Sequence, residues 1–196
     1  MILSFDIGIK NLAYCILNKD DDGKLHIVKW DIIQLLEKNE KCKGFPLNEL
    51  TKRLYKELNT HFYSYNITKV LLENQPVLKN PVMKSVQMIL YSFFQYQAIL
   101  LARKINTIKL VNASNKLKVG KTFTDINNNE DIIKIKSKYN RNKKFAIEYT
   151  YKILEDRIEN FETLTEYFKD NKKKDDLADA FLQGIYYIDF VNPLTN

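Results

Sequence analysis

The chain has 196 residues, 45% of them apolar and 28% charged, which suits one globular domain that buries a core without disulfide or metal staples. Two cysteines (Cys15, Cys42) and two histidines (His26, His61) exclude a disulfide scaffold, a Cys-rich zinc site and a three-His metal site, so any metal must be held by carboxylates. Lys and Arg outnumber Asp and Glu by 31 to 24, a net charge of +7, which points to a polyanionic partner.

The first residues, MILSFDIGIK, carry Asp6 and Lys10 within the apolar stretch, so they make no secretion signal. An intracellular protein in a reducing compartment is expected. Met1–Ile7 is a short apolar run and predicts a buried strand, and Asn11–Asn18 predicts a second. Asp20-Asp21-Asp22-Gly23 forms a turn, and Lys24–Gln34 predicts a third strand, with Leu25 and Ile27 alternating and Trp30 and Ile32 out of step. After Gly44 and Pro46 the apolar positions Leu47, Leu50, Leu54, Leu58 and Phe62 take a helical period. Thr68–Glu73 holds Val70-Leu71-Leu72 and predicts a buried strand. Pro76 and Pro81 precede a helix at about 82–104. From Ser85 to Ala102 this helix has 18 residues without a charge, but Gln87, Ser92, Gln95 and Gln97 are costly in hydrocarbon, so a buried helix is expected rather than a membrane span. Thr107–Val111 predicts a fifth strand. The stretch 113–140 has no clear period and reads as a loop, and helical patterns resume at about 141–158 and 175–190.

This order predicts an α/β protein with a mixed five-stranded sheet: three antiparallel strands, then alternating α/β, with helices on both faces. It matches the ribonuclease H-like fold, spread as a single domain over 1–196. Fold alone does not give function, because the architecture hosts nucleases and sugar kinases alike.

Asp6 closes the first apolar strand and Glu73 closes the fourth. A charge at the end of a buried run is costly without a partner. Two such acids in one sheet lie side by side when their strands are adjacent. Near the C-terminus, Asp176 and Asp179 are three residues apart and share a helix face, while Leu177, Phe181 and Ile185 pack inward. Asp175 and Asp176 suit the positive end of the helix dipole, which leaves Asp179 unexplained. Four carboxylates from three segments can surround a pair of hard cations, Mg²⁺ or Mn²⁺. Two ions about 3.5–4 Å apart activate water and stabilise the leaving oxygen of a phosphodiester. This chemistry points to a metal-dependent nuclease.

Three motifs carry a resemblance: Phe5-Asp6-Ile7-Gly8-Ile9-Lys10-Asn11, Leu71-Leu72-Glu73-Asn74-Gln75-Pro76 and Lys174-Asp175-Asp176-Leu177-Ala178-Asp179. In order and spacing the chain resembles the poxvirus Holliday junction resolvases, relatives of the bacterial RuvC-type and mitochondrial cruciform-cutting enzymes. The resemblance implies Asp6, Glu73, Asp176 and Asp179 as metal-binding catalytic acids with two ions per site. It also implies a homodimer that nicks four-way DNA junctions at symmetric positions. A viral source would place the protein where viral DNA is replicated, in the host cytoplasm.

Residues 103–144 hold twelve Lys/Arg against three Asp/Glu, a net charge of +9 that exceeds that of the whole chain. A duplex-binding surface is expected there, with Lys116, Lys118, Lys134, Lys136, Lys138, Arg141 and Lys143 as phosphate contacts. In the resembling family a lysine ahead of the third helix reaches the active site. Lys144 is the first choice for that role and Lys143 the second.

Gly120-Lys121-Thr122 hints at a phosphate loop, but Asn115 stands where a Walker motif needs glycine. Asp6-Ile7-Gly8 also resembles the first phosphate motif of actin-like and sugar-kinase ATPases. Those proteins duplicate the domain and use glycine-rich loops, whereas this chain has five glycines in all, so no nucleotide cofactor is expected. A non-catalytic DNA-binding ribonuclease H-like protein is the remaining alternative. The apolar residues of the helix at about 82–104 reach around most of its circumference, which predicts a two-fold homodimer built on it, with Gln87, Gln95 and Gln97 pairing across the interface.

Overall fold

The computed structural model describes residues 1–20, 22–78, 80–159 and 161–192. Asp21, in the expected turn, and residues 193–196 of the expected domain lie outside the described residues. The five strands are β1 (Ile2–Asp6), β2 (Asn11–Lys19), β3 (Leu25–Gln34), β4 (Lys69–Glu73) and β5 (Thr107–Val111). They lie in the order β3-β2-β1-β4-β5. The first three pair antiparallel, and β4 runs parallel to both β1 and β5. This is the mixed α/β sheet expected from the element order.

Strand parity decides what each face carries. Leu3 and Phe5 of β1, Leu12, Tyr14 and Ile16 of β2, and Val70 and Leu72 of β4 point to one face. There they meet α1 (Leu47–Phe62) through Leu50, Leu54, Leu58 and Phe62, and α2 (Pro81–Leu100) through Val86, Leu90, Phe93 and Phe94. Each such side chain contributes roughly 1.5–3 kcal/mol by leaving water. Leu47, expected to begin the buried stripe of α1, stands at the helix start and is exposed.

The opposite face carries Ala13, Cys15, Leu17, Leu25 and Trp30 against three C-terminal helices: α5 (Lys138–Arg157), α6 (Phe161–Asp170) and α7 (Lys174–Tyr186). The slipped alternation of β3 has a structural cause. Ile16 pairs with Lys29 but Leu17 pairs with Ile27, so Val28 is an extra residue. This bulge reverses the parity and lets Leu25, Ile27, Trp30 and Ile32 share one face. Trp30 then fixes α7 by donating from Nε1 to the Leu177 carbonyl at 3.0 Å and stacking on Phe168 of α6 at 5.0 Å.

Two expectations need correction. The stretch 113–140 is not a bare loop: a 3₁₀ helix runs over Ala113–Gly120, and the four-residue helices α3 (Thr124–Asn127) and α4 (Glu130–Ile133) follow it. Segments this short show no period in sequence. α6 was not expected at all, because only Phe168 of its ten residues is fully buried. Among the described residues no helix is long and apolar enough to cross a membrane.

Candidate active site

The parity that sends Leu3 and Phe5 toward α1 and α2 sends Ser4 and Asp6 the other way. The same holds on β4, where Val70 and Leu72 oppose Leu71 and Glu73. β1 and β4 are parallel neighbours with Phe5 opposite Leu72, so Asp6 and Glu73 end side by side on the face that α7 covers. Gly8 makes the abrupt exit after Asp6 possible. A Cβ there would lie 2.1 Å from the Asn11 carbonyl oxygen, which no side chain could accommodate.

α7 lays Asp176 and Asp179 over these strand ends. Its close approach is allowed by Gly184, where a Cβ would come within 2.5 Å of Leu17 Cδ1. Asp6, Glu73 and Asp179 gather around the ammonium of Lys116. Lys116 Nζ lies 3.8 Å from Asp6 Oδ1 and 3.4 Å from Glu73 Oε1, and it donates a short hydrogen bond to Asp179 Oδ2. All four side chains are largely buried.

Burial raises the Asp6 carboxyl well above the ordinary carboxylate range against the pull of Lys116, with Asp179 and Glu73 adding to the rise. Burial also pushes Asp179 up to about 6. For Lys116, burial works against the charge, but Asp6, Asp179 and Glu73 outweigh it and hold its pKa above the usual lysine value.

Asp176 sits apart. Asn11 Nδ2 donates to it at 3.5 Å, and Lys173 Nζ is 3.8 Å away. Burial raises its pKa, helped by the neighbouring Asp175. Asp175 itself accepts a short hydrogen bond from Lys143 of α5, whose ammonium also lies 4.6 Å from the Tyr139 ring centroid. Asp6, Glu73, Lys116, Lys143, Asp176 and Asp179 all line one cleft of about 670 Å³.

The structure places the two candidate lysines differently. Lys143 faces the cleft, whereas Lys144 points away and pairs with Glu148 at 2.7 Å. Consecutive helical residues are about 100° apart, and here that rotation turns Lys143 into the cleft and Lys144 onto the outer side of α5. Lys116, expected among the outer phosphate contacts, is instead the centre of the acid cluster. Lys118, Lys134, Lys136 and Lys138 are exposed outside the cleft. Lys134 is tied to Glu130 at 2.6 Å, and Arg141 donates to the Ile135 carbonyl.

The donor set suits a hard divalent ion, since Asp6, Glu73 and Asp179 offer carboxylate oxygens to one positive centre. Among the described residues no group of three or more Asp, Glu, His or Cys is arranged to hold a metal ion as it stands. The centre that the three carboxylates share is filled by the ammonium of Lys116.

Residues 2–83 match the model of a protein family described as mitochondrial resolvase Ydc2 / RNA splicing MRS1. Among solved structures, the yeast mitochondrial Holliday junction resolvase Ydc2 superposes with a TM-score of 0.65 at 21% identity, over 95% of this chain and 78% of that one. The fowlpox virus resolvase, solved with its substrate Holliday junction DNA, gives 0.61 at 21% identity, over 97% and 98%. The chain shares its fold with these two resolvases. A curated relative, the uncharacterized protein L451 of Acanthamoeba polyphaga mimivirus, is 38% identical over 169 residues, which is 81% of this chain. The chain spans 39% of that relative's length.

On this resolvase fold, polar residues that sequence patterns missed support the acids. Gln75 Nε2 donates to Glu73 Oε2 at 2.7 Å, and the Gln75 backbone N–H donates to Gln87 Oε1 of α2 at 2.7 Å. Gln87 is fully buried and Gln97 nearly so. Both are taken up within the chain rather than free to pair across a partner helix, and Gln95 donates to Tyr91 Oη at 3.1 Å. One glutamine among three on an apolar helix carries no sequence signal for such a role.

Proposed function

We propose that this chain is a divalent-metal-dependent endodeoxyribonuclease that resolves four-way DNA junctions by paired nicks, with residues 1–196 acting as one nuclease domain. The observation that carries the proposal is the convergence of Asp6, Glu73 and Asp179 on a single cation at the floor of a cleft. The Ydc2 family match and the fowlpox resolvase solved with junction DNA support the choice of substrate.

Asp6, Glu73 and Asp179 would hold one Mg²⁺ or Mn²⁺, and Asp176, with an oxygen of Asp6 or the substrate, would help hold a second. Such ions supply an activated water and stabilise charge on the scissile phosphate. Lys116 keeps the acids together in the metal-free protein by offsetting their mutual repulsion. Freed from them, its ammonium is within the cleft to pair with a phosphate oxygen. Lys143 stands at the mouth of the cleft, where it orients the strand by contacting a neighbouring phosphate. The exposed lysines at 118, 134, 136 and 138 add affinity without reading sequence.

A homodimer through α2 belongs to the same proposal. With its inner face on the sheet, α2 still exposes Met88, Tyr96, Ile99 and Leu100, and Leu101 follows. A second copy there would present two sites to the two strands of a symmetric junction. The mimivirus relative supports a viral source, and action where viral DNA is replicated belongs to the same proposal.

The test is cleavage of a synthetic four-way junction in Mg²⁺, in EDTA and against linear duplex. Paired nicks that require the metal and the junction are expected. ATP-dependent turnover without nicking would sink the proposal.

A further inference from the structure

One buried polar contact joins all three segments that carry the acids. Gln183 is one helical turn beyond Asp179 and two beyond Asp176 on the same side of α7. Only 3% of it is exposed. Its Nε2 reaches into the sheet and donates to Ser4 Oγ at 3.0 Å, the Phe5 carbonyl at 3.1 Å and, more weakly, the Leu71 carbonyl at 3.4 Å. Phe5 immediately precedes Asp6, and Leu71 lies two residues before Glu73. Ser4 is fully buried. The surroundings are otherwise apolar: Phe181, Leu182 and Ile185 are all buried beside it on α7.

An amide in such a place is a strict gauge of position. Hydrophobic packing alone would tolerate a small slide of α7 along the sheet, because apolar contacts carry little direction. The amide does not. Its N–H groups must meet acceptors on two different strands, and a slide would leave polar groups unpaired in a dry interior. Gly184 allows the helix to approach closely enough for this reach.

We infer that Gln183 is a positioning residue that sets the register of α7 on β1 and β4, and so the separation of Asp179 and Asp176 from Asp6 and Glu73. The inference rests on the metal-nuclease function proposed above. Gln183 touches neither substrate nor metal and acts only through the acids it aligns.

The test uses the full chain with Gln183→Met, which keeps length and volume but removes the amide, and Gln183→Asn, which keeps the amide but falls short. Mn²⁺ affinity is measured by electron paramagnetic resonance of the free ion. Single-turnover cleavage of a four-way junction is followed at saturating Mn²⁺. Junction affinity is measured in EDTA, and circular dichroism confirms the folded state at the assay temperature. Both variants are expected to bind Mn²⁺ about tenfold more weakly and to cleave about tenfold more slowly at saturation. Their junction affinity in EDTA should stay within about twofold of wild type, because the basic surface is untouched. Ser4→Ala should leave Mn²⁺ affinity within about twofold, since the two carbonyl acceptors remain.

A folded variant that melts earlier yet binds Mn²⁺ and cleaves as wild type does would reduce Gln183 to a packing residue and overturn the inference. If Gln183→Met does not fold, the same comparison is made on Gln183→Asn. Wild-type protein that binds no Mn²⁺ would overturn the proposed function itself, and the positioning role with it. Wild-type binding matched by both variants would overturn the positioning role alone.

Discussion

The two faces of the sheet are built from the same strands and do different work. Toward α1 and α2, the alternate residues of β1 and β4 are Leu3, Phe5, Val70 and Leu72, which pack into a large apolar cluster with both helices. Toward α7, the intervening positions are Ser4, Asp6, Leu71 and Glu73, threaded by Gln183 and closed by Lys116. One face stores stability, and the other uses part of that stability to hold three carboxylates around one cation. Damage to the first face should therefore lower stability and spare chemistry in the molecules that remain folded. Damage to the second should do the reverse.

The sharpest contrast is between Asp6→Asn and Leu72→Ala, on opposite faces of adjacent strands. Asp6→Asn should cut junction cleavage by about a hundredfold to a thousandfold while junction binding in EDTA persists. Leu72→Ala should cost about 2–5 kcal/mol of stability, read by urea unfolding, with a near-normal cleavage rate in the folded fraction. A strongly impaired rate in folded Leu72→Ala protein would break the division between the faces.

Lys116→Met should affect both metal and fold. With the competing ammonium gone, Mn²⁺ should bind about ten- to a hundredfold more tightly. Melting in EDTA should occur at lower temperature, and Mn²⁺ should restore it. Weaker Mn²⁺ binding would mean that Lys116 does not occupy the cation position.

A smaller effect separates Lys143 from Lys144. Lys143→Ala should slow single-turnover cleavage about tenfold, and Lys144→Ala less than about twofold. Equal rates for the two variants would remove Lys143 from the working cleft.

The smallest effect concerns pH. Burial pushes Asp179 up to about 6 and raises Asp6 as well. The folded protein then holds these protons more tightly than the unfolded chain does. The resulting stabilisation is fully present below about pH 4 and is lost as pH rises through about 6. In EDTA, wild type should lose up to about 2 kcal/mol more than Asp179→Asn between pH 4.5 and 7.5, measured by urea midpoints. A wild-type protein that loses no more than the variant would mean that burial does not hold the Asp179 proton.

The sheet was legible because its signal is local. Val70-Leu71-Leu72 and the apolar start of β1 declare buried strands, and an acid at the end of each stands out by its cost. Asp176 and Asp179 were legible from helical spacing in the same way. Lys116 was visible only as one of twelve basic residues, because its place depends on a 3₁₀ turn that leaves no periodic trace. Which of Lys143 and Lys144 faces the cleft was illegible for a related reason: the helix begins at Lys138, and its rotation on the sheet is set by tertiary packing. The role of Gln183 was silent because its partners are two backbone carbonyls and a hydroxyl on distant strands, and Gln87 stood out only as an uncharged polar residue, with nothing to mark its bond to the Gln75 backbone.

The most direct measurement is the position of Mn²⁺ in a crystal, found by anomalous scattering. The expected result is a peak bounded by Asp6, Glu73 and Asp179, with the Lys116 side chain withdrawn from its place among them. A Mn²⁺-soaked crystal with no such peak, and with Lys116 still held by the three carboxylates, would contradict the assignment of this cluster as a metal-dependent nuclease site.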